Sequence, residues 1–379
     1  MDRRRLGLLA VAALAVVLVV GVLVRSATDD ESPRPTPPSP SASGTAPPRG
    51  TGGSLSSLTS PENEALSRCR PGADALADCG KAPAFSGTTR WFNTPGGRAE
   101  PPATQRGKVV LVSFLSYPCA SCVRHQPYVN AWYDAYRGAG LQVIGVESPE
   151  HDFEKRPANV AAGLAGLDVQ HPVVMDPRLE TWTAYRNRYW PSSFLLDARG
   201  AVRAVQLGEG GYERTERQIR TLLRAARPDV ELPSPVSGDV DAPPLPPTST
   251  TPGVRLGWTH ADTYAGAPSR PVAGRSEDYR LGADQPTGSW GLGGTWTADT
   301  AAVTAEGESR LRVRARSSRV DAVVGGTGTI TVSTEEGSRT VEVSGAPGLV
   351  GLLRADEARE RTVTLEVSAG LRVYAVTYA

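Results

Sequence analysis

Lysine is nearly absent from this chain. Three stand at positions 81, 108 and 155, against 38 arginines in 379 residues. The arginines are scattered and the formal net charge is +1. No global basic or acidic field therefore marks a nucleic-acid partner, and the arginine excess reads as a coding bias. Cysteine is scarce and confined. Cys69, Cys79, Cys119 and Cys122 all fall in the first third, so thiol chemistry belongs to one part of the protein. The block from 253 onward has no cysteine and a single histidine, His260, which excludes a second thiol centre or a histidine-rich metal site there. No internal repeat is present.

What is there begins at the N-terminus. "MDRRR" precedes an unbroken apolar run of 19 residues, Leu6 to Val24. As a helix this run is ~28 Å long, close to the hydrocarbon thickness of a bilayer. Arginines before it predict a cytoplasmic N-terminus and an exported remainder. A cleaved signal peptide is the rival, but its apolar core is shorter, ~7–15 residues, and ends in a small-residue cleavage site. Here Arg25 follows, so the reading is a single N-terminal transmembrane helix at 1–25. Both readings place the rest on the extracytoplasmic side of the cell membrane, where disulfides persist.

Residues 26–61 are rich in Pro, Ser and Thr, with seven prolines between Ser32 and Gly50. Such a segment cannot bury a core and reads as a disordered, semi-rigid stalk. A second Pro-rich stretch at 231–252 separates blocks at 62–230 and 253–379. The first alternates strand and helix signals. "KVVLVSFL" and "LQVIGVE" read as buried strands, a helix follows from Cys119 to Tyr136, and "SFLLDARGAVRAVQLG" reads as a hairpin before a closing amphipathic helix. This order predicts an α/β sheet with helices on both faces. The second block shows short alternating runs, such as "RLRVRARS", "TITVST" and "LRVYAVTY", between Gly-rich turns. It predicts an all-β antiparallel sandwich.

The chemistry centres on "YPCASC" at 117–122. A thiolate is the reactive form of cysteine, and a helix N-terminus favours an anion. Cys119 would attack a substrate disulfide and Cys122, one turn on, would resolve the mixed disulfide. A zinc half-site is the functional rival, but structural zinc takes about four ligands and no completing cluster is recognisable. A purely structural disulfide is the bland alternative. A strand immediately before the pair and a helix after it favour redox. For Cys69 and Cys79, ten residues apart in an exported chain, a structural disulfide is expected. A second redox pair relaying electrons to Cys119 and Cys122 is the alternative.

Residues 83–227 resemble the thioredoxin superfamily, and within it the exported TlpA/DsbE-like redoxins and the group defined by the C-terminal region of DipZ. The motifs are "RGKVVLVSFLSYPCASC", Pro127 five residues after the second cysteine, "GLQVIGVESPEHDFEKRPANV", "HPVVMD" and "NRYWPSSFLLDARGAV". The resemblance implies a thioredoxin-like fold, Cys119 as nucleophile, Cys122 as resolving thiol, and Pro191 as a cis-proline facing them. It calls for no cofactor and no metal. Ser113 stands where thioredoxin has a buried aspartate, so another group must move the proton. His125 occupies the position where some TlpA-like members carry glutamate, and Glu147 ends a strand; both are candidate relays, against the plain readings of a surface histidine and a strand-end carboxylate. Reducing chemistry on disulfides or thiols of exported proteins is implied, with a membrane electron donor of the DsbD/CcdA type.

The last block is similar to the carbohydrate-binding-module-like sandwich of that group, through "GGTWT", "RLRVRARSSRVDAVVGGTGTITV" and "GLRVYAVTY". A cell-wall glycan would stack on exposed aromatics, for which Trp258, Tyr264, Tyr279, Trp290 and Trp296 are the candidates. The expectation is a membrane-anchored, extracytoplasmic thiol–disulfide oxidoreductase. The alternative is a non-enzymatic cell-envelope binding protein whose sandwich recognises glycan or a protein partner. A peroxidase is a third, weaker option, since peroxiredoxins use a different cysteine setting.

Overall fold

The computed structural model describes residues 59–246 and 250–379. The expected transmembrane helix and nearly all of the stalk lie outside these residues. Among the described residues no helix is long and apolar enough to cross a membrane.

The redox block is a six-stranded sheet in the order β1-β4-β3-β2-β5-β6. Its strands are β1 (Trp91–Phe92), β2 (Val109–Leu115), β3 (Leu141–Glu147), β4 (Val173–Met175), β5 (Ser192–Leu196) and β6 (Val202–Leu207). β2, β3 and β4 run parallel, while β5 and β6 form an antiparallel hairpin against β2. Helices α1 (Ala120–Tyr136), α2 (Pro157–Gly166), α3 (Glu180–Ala184) and α4 (Tyr212–Ala226) connect and flank the strands. Every residue of β2 and β3 is buried, as apolar strands covered on both faces must be. Alternate residues of β2 feed two cores: Val109 and Leu111 pack with Trp132, Ile219 and Leu223, whereas Val110, Val112 and Phe114 pack with Trp182, Phe194 and Trp91. The start of the Pro-rich stretch after α4 is docked, not free. Glu216 on α4 accepts hydrogen bonds from the backbone amides of Val236 and Ser237.

The C-terminal block is β-rich, and every pairing between its named strands is antiparallel. It contains β7 (Val254–Arg255), β8 (Gly266–Ala267), β9 (Ser276–Leu281), β10 (Trp290–Ala298), β11 (Val303–Ala305), β12 (Ser309–Gly325), β13 (Gly328–Thr334), β14 (Gly337–Val343), β15 (Gly348–Val367) and β16 (Arg372–Tyr378). Two strands are far longer than their sequence runs suggest. β12 absorbs this length with register shifts near Ser317 and Val320. Its first half pairs with β10 and its second half with β16. The layers expected of a sandwich are thus parts of one hydrogen-bonded path that folds back on itself.

That folding settles the position of the aromatics. Tyr279, Trp290 and Trp296 are core residues, the two tryptophans with no exposed surface, and Tyr264 packs edge-on against Trp290. None of these three can stack on a sugar: Trp290 and Trp296 share the inward side of β10 with Leu292, and Tyr279 on β9 is buried beside them. Trp258 is the exposed candidate, at 38%. Trp296→Ala is expected to cost ~3–5 kcal/mol, by leaving a cavity and losing the indole bond to the Gly293 carbonyl. Chemical denaturation would check this; a loss below 1 kcal/mol would contradict the core assignment.

The two blocks share a packed boundary. Val323, Tyr374 and Ala375 of the β-rich domain belong to the same apolar cluster as Tyr117 and Phe153 of the redox block. The Phe153 and Tyr374 rings meet edge to face at 4.7 Å. Tyr117 Oη donates to the Pro347 carbonyl at 2.6 Å, and Arg255 pairs with Glu150 at 2.6 Å.

Candidate active site

The site forms where β2 ends and α1 begins. Cys119 has extended backbone dihedrals and caps the helix, its sulfur accepting the amide of Cys122 at 3.4 Å. Amides at this end have no intrahelical acceptor, so a sulfur placed here satisfies a donor that would otherwise be unpaired. Both cysteines are free thiols and buried, Cys119 at 6% exposure and Cys122 at 1%. Burial, then the hydrogen bond with Cys119, pushes the Cys122 thiol well above its ordinary value. Cys122 is thus held as a thiol and needs a base before it can attack.

The peptide bond Trp190–Pro191 is cis. Ser121, between the cysteines, donates from Oγ to the Trp190 carbonyl at 3.2 Å and lies 3.2 Å from the Cys119 sulfur. These contacts hold the Pro191 loop against the first turn of α1. The Trp190 indole donates to the Ser148 carbonyl and stacks near Trp182, which fixes the loop from its other side.

The two candidate relays separate. His125 lies in phase with Val129, Trp132 and Tyr136 on the buried stripe of α1. Its ring packs against Trp132 and Tyr212, and Nε2 lies 3.5 Å from Ser193 Oγ. Burial lowers its pKa to about 4, so it is a neutral core imidazole at pH 7 and not the surface residue of the plain reading. Glu147 comes to the dithiol. One carboxylate oxygen accepts the Tyr117 amide at 3.3 Å, and its charge acts on both cysteines. Burial pushes its pKa up to about 7.

Sequence reasoning missed the partner of this carboxylate. Glu154 is buried in a short 3-10 turn, Asp152–Lys155, and one oxygen accepts the amides of Glu150 and His151 at 2.9 and 2.6 Å. Burial, and then the charge of the neighbouring Glu147 carboxyl, raise its pKa well above the carboxylate range. Two adjacent buried carboxyls cannot both ionise readily, so the pair shares a proton near neutral pH. Arg124 was also missed. It forms a two-pronged ion pair with Glu209 at 2.7 and 2.8 Å beside the dithiol. Its sequence signal was only an arginine two residues after Cys122.

Cys69 and Cys79 are joined by a disulfide. The segment they bracket lies along the β6 edge, with Gly72, Ala77 and Cys79 amides bonded to β6 carbonyls. It covers an edge that would otherwise be open to pairing with another chain. Removing both cysteines is expected to cost about 3 kcal/mol, from the entropy of a loop of roughly ten residues, while leaving thiol exchange within about threefold of wild type. Thermal unfolding and an exchange assay on Cys69→Ser/Cys79→Ser check both parts. A mixed disulfide between either residue and Cys119 would instead establish the relay.

A buried dithiol capping a helix, opposite a cis-proline on a sheet of this order, defines a thioredoxin-like redoxin. Residues 80–205 match the AhpC/TSA family and residues 251–379 match the thioredoxin like C-terminal domain, so the chain carries one module of each kind. It is similar to Protein DipZ of Mycobacterium bovis and of Mycobacterium tuberculosis, 39% identical over 328 residues in each case, covering 86% of this chain and 46% of DipZ. The thiol-disulfide oxidoreductase ResA of Geobacillus kaustophilus is 28% identical over 117 residues, 31% of this chain and 64% of ResA. Among solved structures, a thiol-disulfide isomerase from Corynebacterium glutamicum matches with a TM-score of 0.33 and 28% identity, over 38% of this chain and 96% of that one. The chain spans about half the length of the DipZ relatives.

Proposed function

We propose that this protein is a thiol–disulfide oxidoreductase that reduces disulfides of exported proteins. The observation that carries the reading is Cys119 capping α1, with Cys122 one turn in and the cis Trp190–Pro191 bond held against them. The Cys119 thiolate attacks one sulfur of the substrate, whose S–S bond breaks; the departing sulfur takes up a proton. The ionised Glu147 carboxylate accepts the proton of Cys122. The Cys122 thiolate then attacks Cys119, and the second substrate thiol leaves. The substrate gains two electrons and the Cys119–Cys122 pair loses them, so a dithiol donor must restore the reduced state.

A membrane protein of the DsbD/CcdA type fits that donor role, if the run Leu6–Val24 anchors the chain and the Pro-rich stalk holds the redox block outside the membrane. The Cys69–Cys79 disulfide supports an oxidising compartment, since cytosolic thiols are kept reduced. Cys122→Ser tests the assignment of roles. Exposed to a small aromatic disulfide, it is expected to accumulate a mixed disulfide on Cys119, seen by mass spectrometry of the intact chain. A variant that accumulates none, or carries the adduct on another residue, overturns the reading.

A further inference from the structure

Cys119 is a nucleophile with 6% of its surface exposed. Its open side faces a cavity of about 460 Å³ whose near wall is Pro118–Ser121 with Arg124, and whose far wall is the end of the Pro-rich stretch, Thr250–Pro252, together with the β-rich domain through Gly253, Val323, Thr377 and Tyr378. The roof over the thiol is therefore the other domain and the segment that leads into it. We infer that this roof selects substrates by girth: the cleft admits disulfides flanked by slender groups, as in cystine or an unfolded peptide, and excludes disulfides on the surface of a folded protein. The inference rests on the redox reading above and narrows its substrate class.

Size decides the matter. A cavity of this volume is that of a small-ligand site, ~300–1,000 Å³. Even a transient redox encounter between folded proteins presses together surfaces on the order of 1,000 Å², and a disulfide on such a broad surface cannot enter a cleft of this size. The roof is also fastened. Arg255 pairs with Glu150 at 2.6 Å with both side chains largely buried. Tyr117, two residues before the nucleophile, donates to Pro347 across the boundary. His151 and Phe153 pack on Tyr374. Arg255 and Glu150, paired on the cleft wall, give it charges of both signs with no net charge, which suits a substrate with amino-acid polarity.

The test uses the reduced full chain and measures its rate of oxidation by cystine, by an unstructured peptide with one disulfide, and by a folded protein with a surface disulfide. Each rate is divided by that of a free dithiol with the same substrate, which cancels intrinsic reactivity. Wild type is expected to favour cystine over the folded protein by at least tenfold. Unfastening the roof with Tyr117→Phe, or with Glu150→Gln/Arg255→Gln, which removes both charges together, is expected to close that gap to within about threefold by raising the folded-protein rate. A peptide that behaves like cystine assigns unfolded chains as substrates; one that behaves like the folded protein restricts the cleft to small molecules. Equal normalised rates in wild type, or a gap unchanged in folded roof variants, overturn the inference while leaving the redox reading intact. A wild-type chain that no disulfide oxidises overturns both.

Discussion

Cys119→Ser is expected to lower the rate of disulfide exchange by on the order of 10³-fold or more, because a serine hydroxyl at this position is not ionised near neutral pH and a nucleophile has no substitute. The fold should survive. Serine keeps an acceptor at the helix cap, where the Cys119 sulfur now takes the Cys122 amide. Unchanged unfolding together with lost exchange separates chemistry from structure. Residual exchange within tenfold of wild type would mean that another thiol performs the attack.

Glu147→Gln is expected to slow the resolving step by about 10²-fold, the lower range of what a positioned base supplies. The sign of its pH dependence follows from the direction of the shift. Burial raises Glu147 to about 7, so the base is absent below that pH and present above it. Wild-type resolution should climb with pH through about 7 and then level, and the glutamine variant should lose that limb. The same carboxyl is linked to stability with opposite consequence. Its folded pKa lies above its unfolded value, so its contribution is full at low pH and is lost as pH rises through about 7. Replacing it with a neutral amide should therefore raise stability at pH 8 and change little at pH 5. A slower but more stable variant with a flat pH profile is the expected pattern. A variant with wild-type kinetics would remove Glu147 from the mechanism.

The dithiol was legible because its surroundings are local. An apolar β-branched strand, a two-residue spacing and a helix start all lie within one stretch of sequence, and Pro191 and Glu147 stand at ends of neighbouring strands. His125 misled because three residues along a helix is a shared face only if that face turns the right way. The stripe His125, Val129, Trp132, Tyr136 was available in the sequence and points to the core instead. Glu154 lies in "SPEHDFEKR", whose charges read as a surface loop; its burial depends on a turn folding beneath the β-rich domain. The length of β15 was hidden by "RADEARER", an alternation of charges that lacks an apolar face yet forms a strand paired with β12. The roof over Cys119 was illegible for a related reason. It is built from residues more than a hundred positions away, at the end of a Pro-rich stretch that reads as a spacer and beyond it.

The most direct test of the account is an equilibrium redox titration of the full chain against a dithiol buffer, counting free thiols by alkylation and mass. Cys119 and Cys122 should pass together between two free thiols and one disulfide, with the two-electron dependence of about 30 mV per tenfold change in the equilibrium, while Cys69 and Cys79 stay paired throughout. Two thiols that remain alkylatable at every potential, or a Cys119–Cys122 disulfide that no dithiol opens, would contradict it.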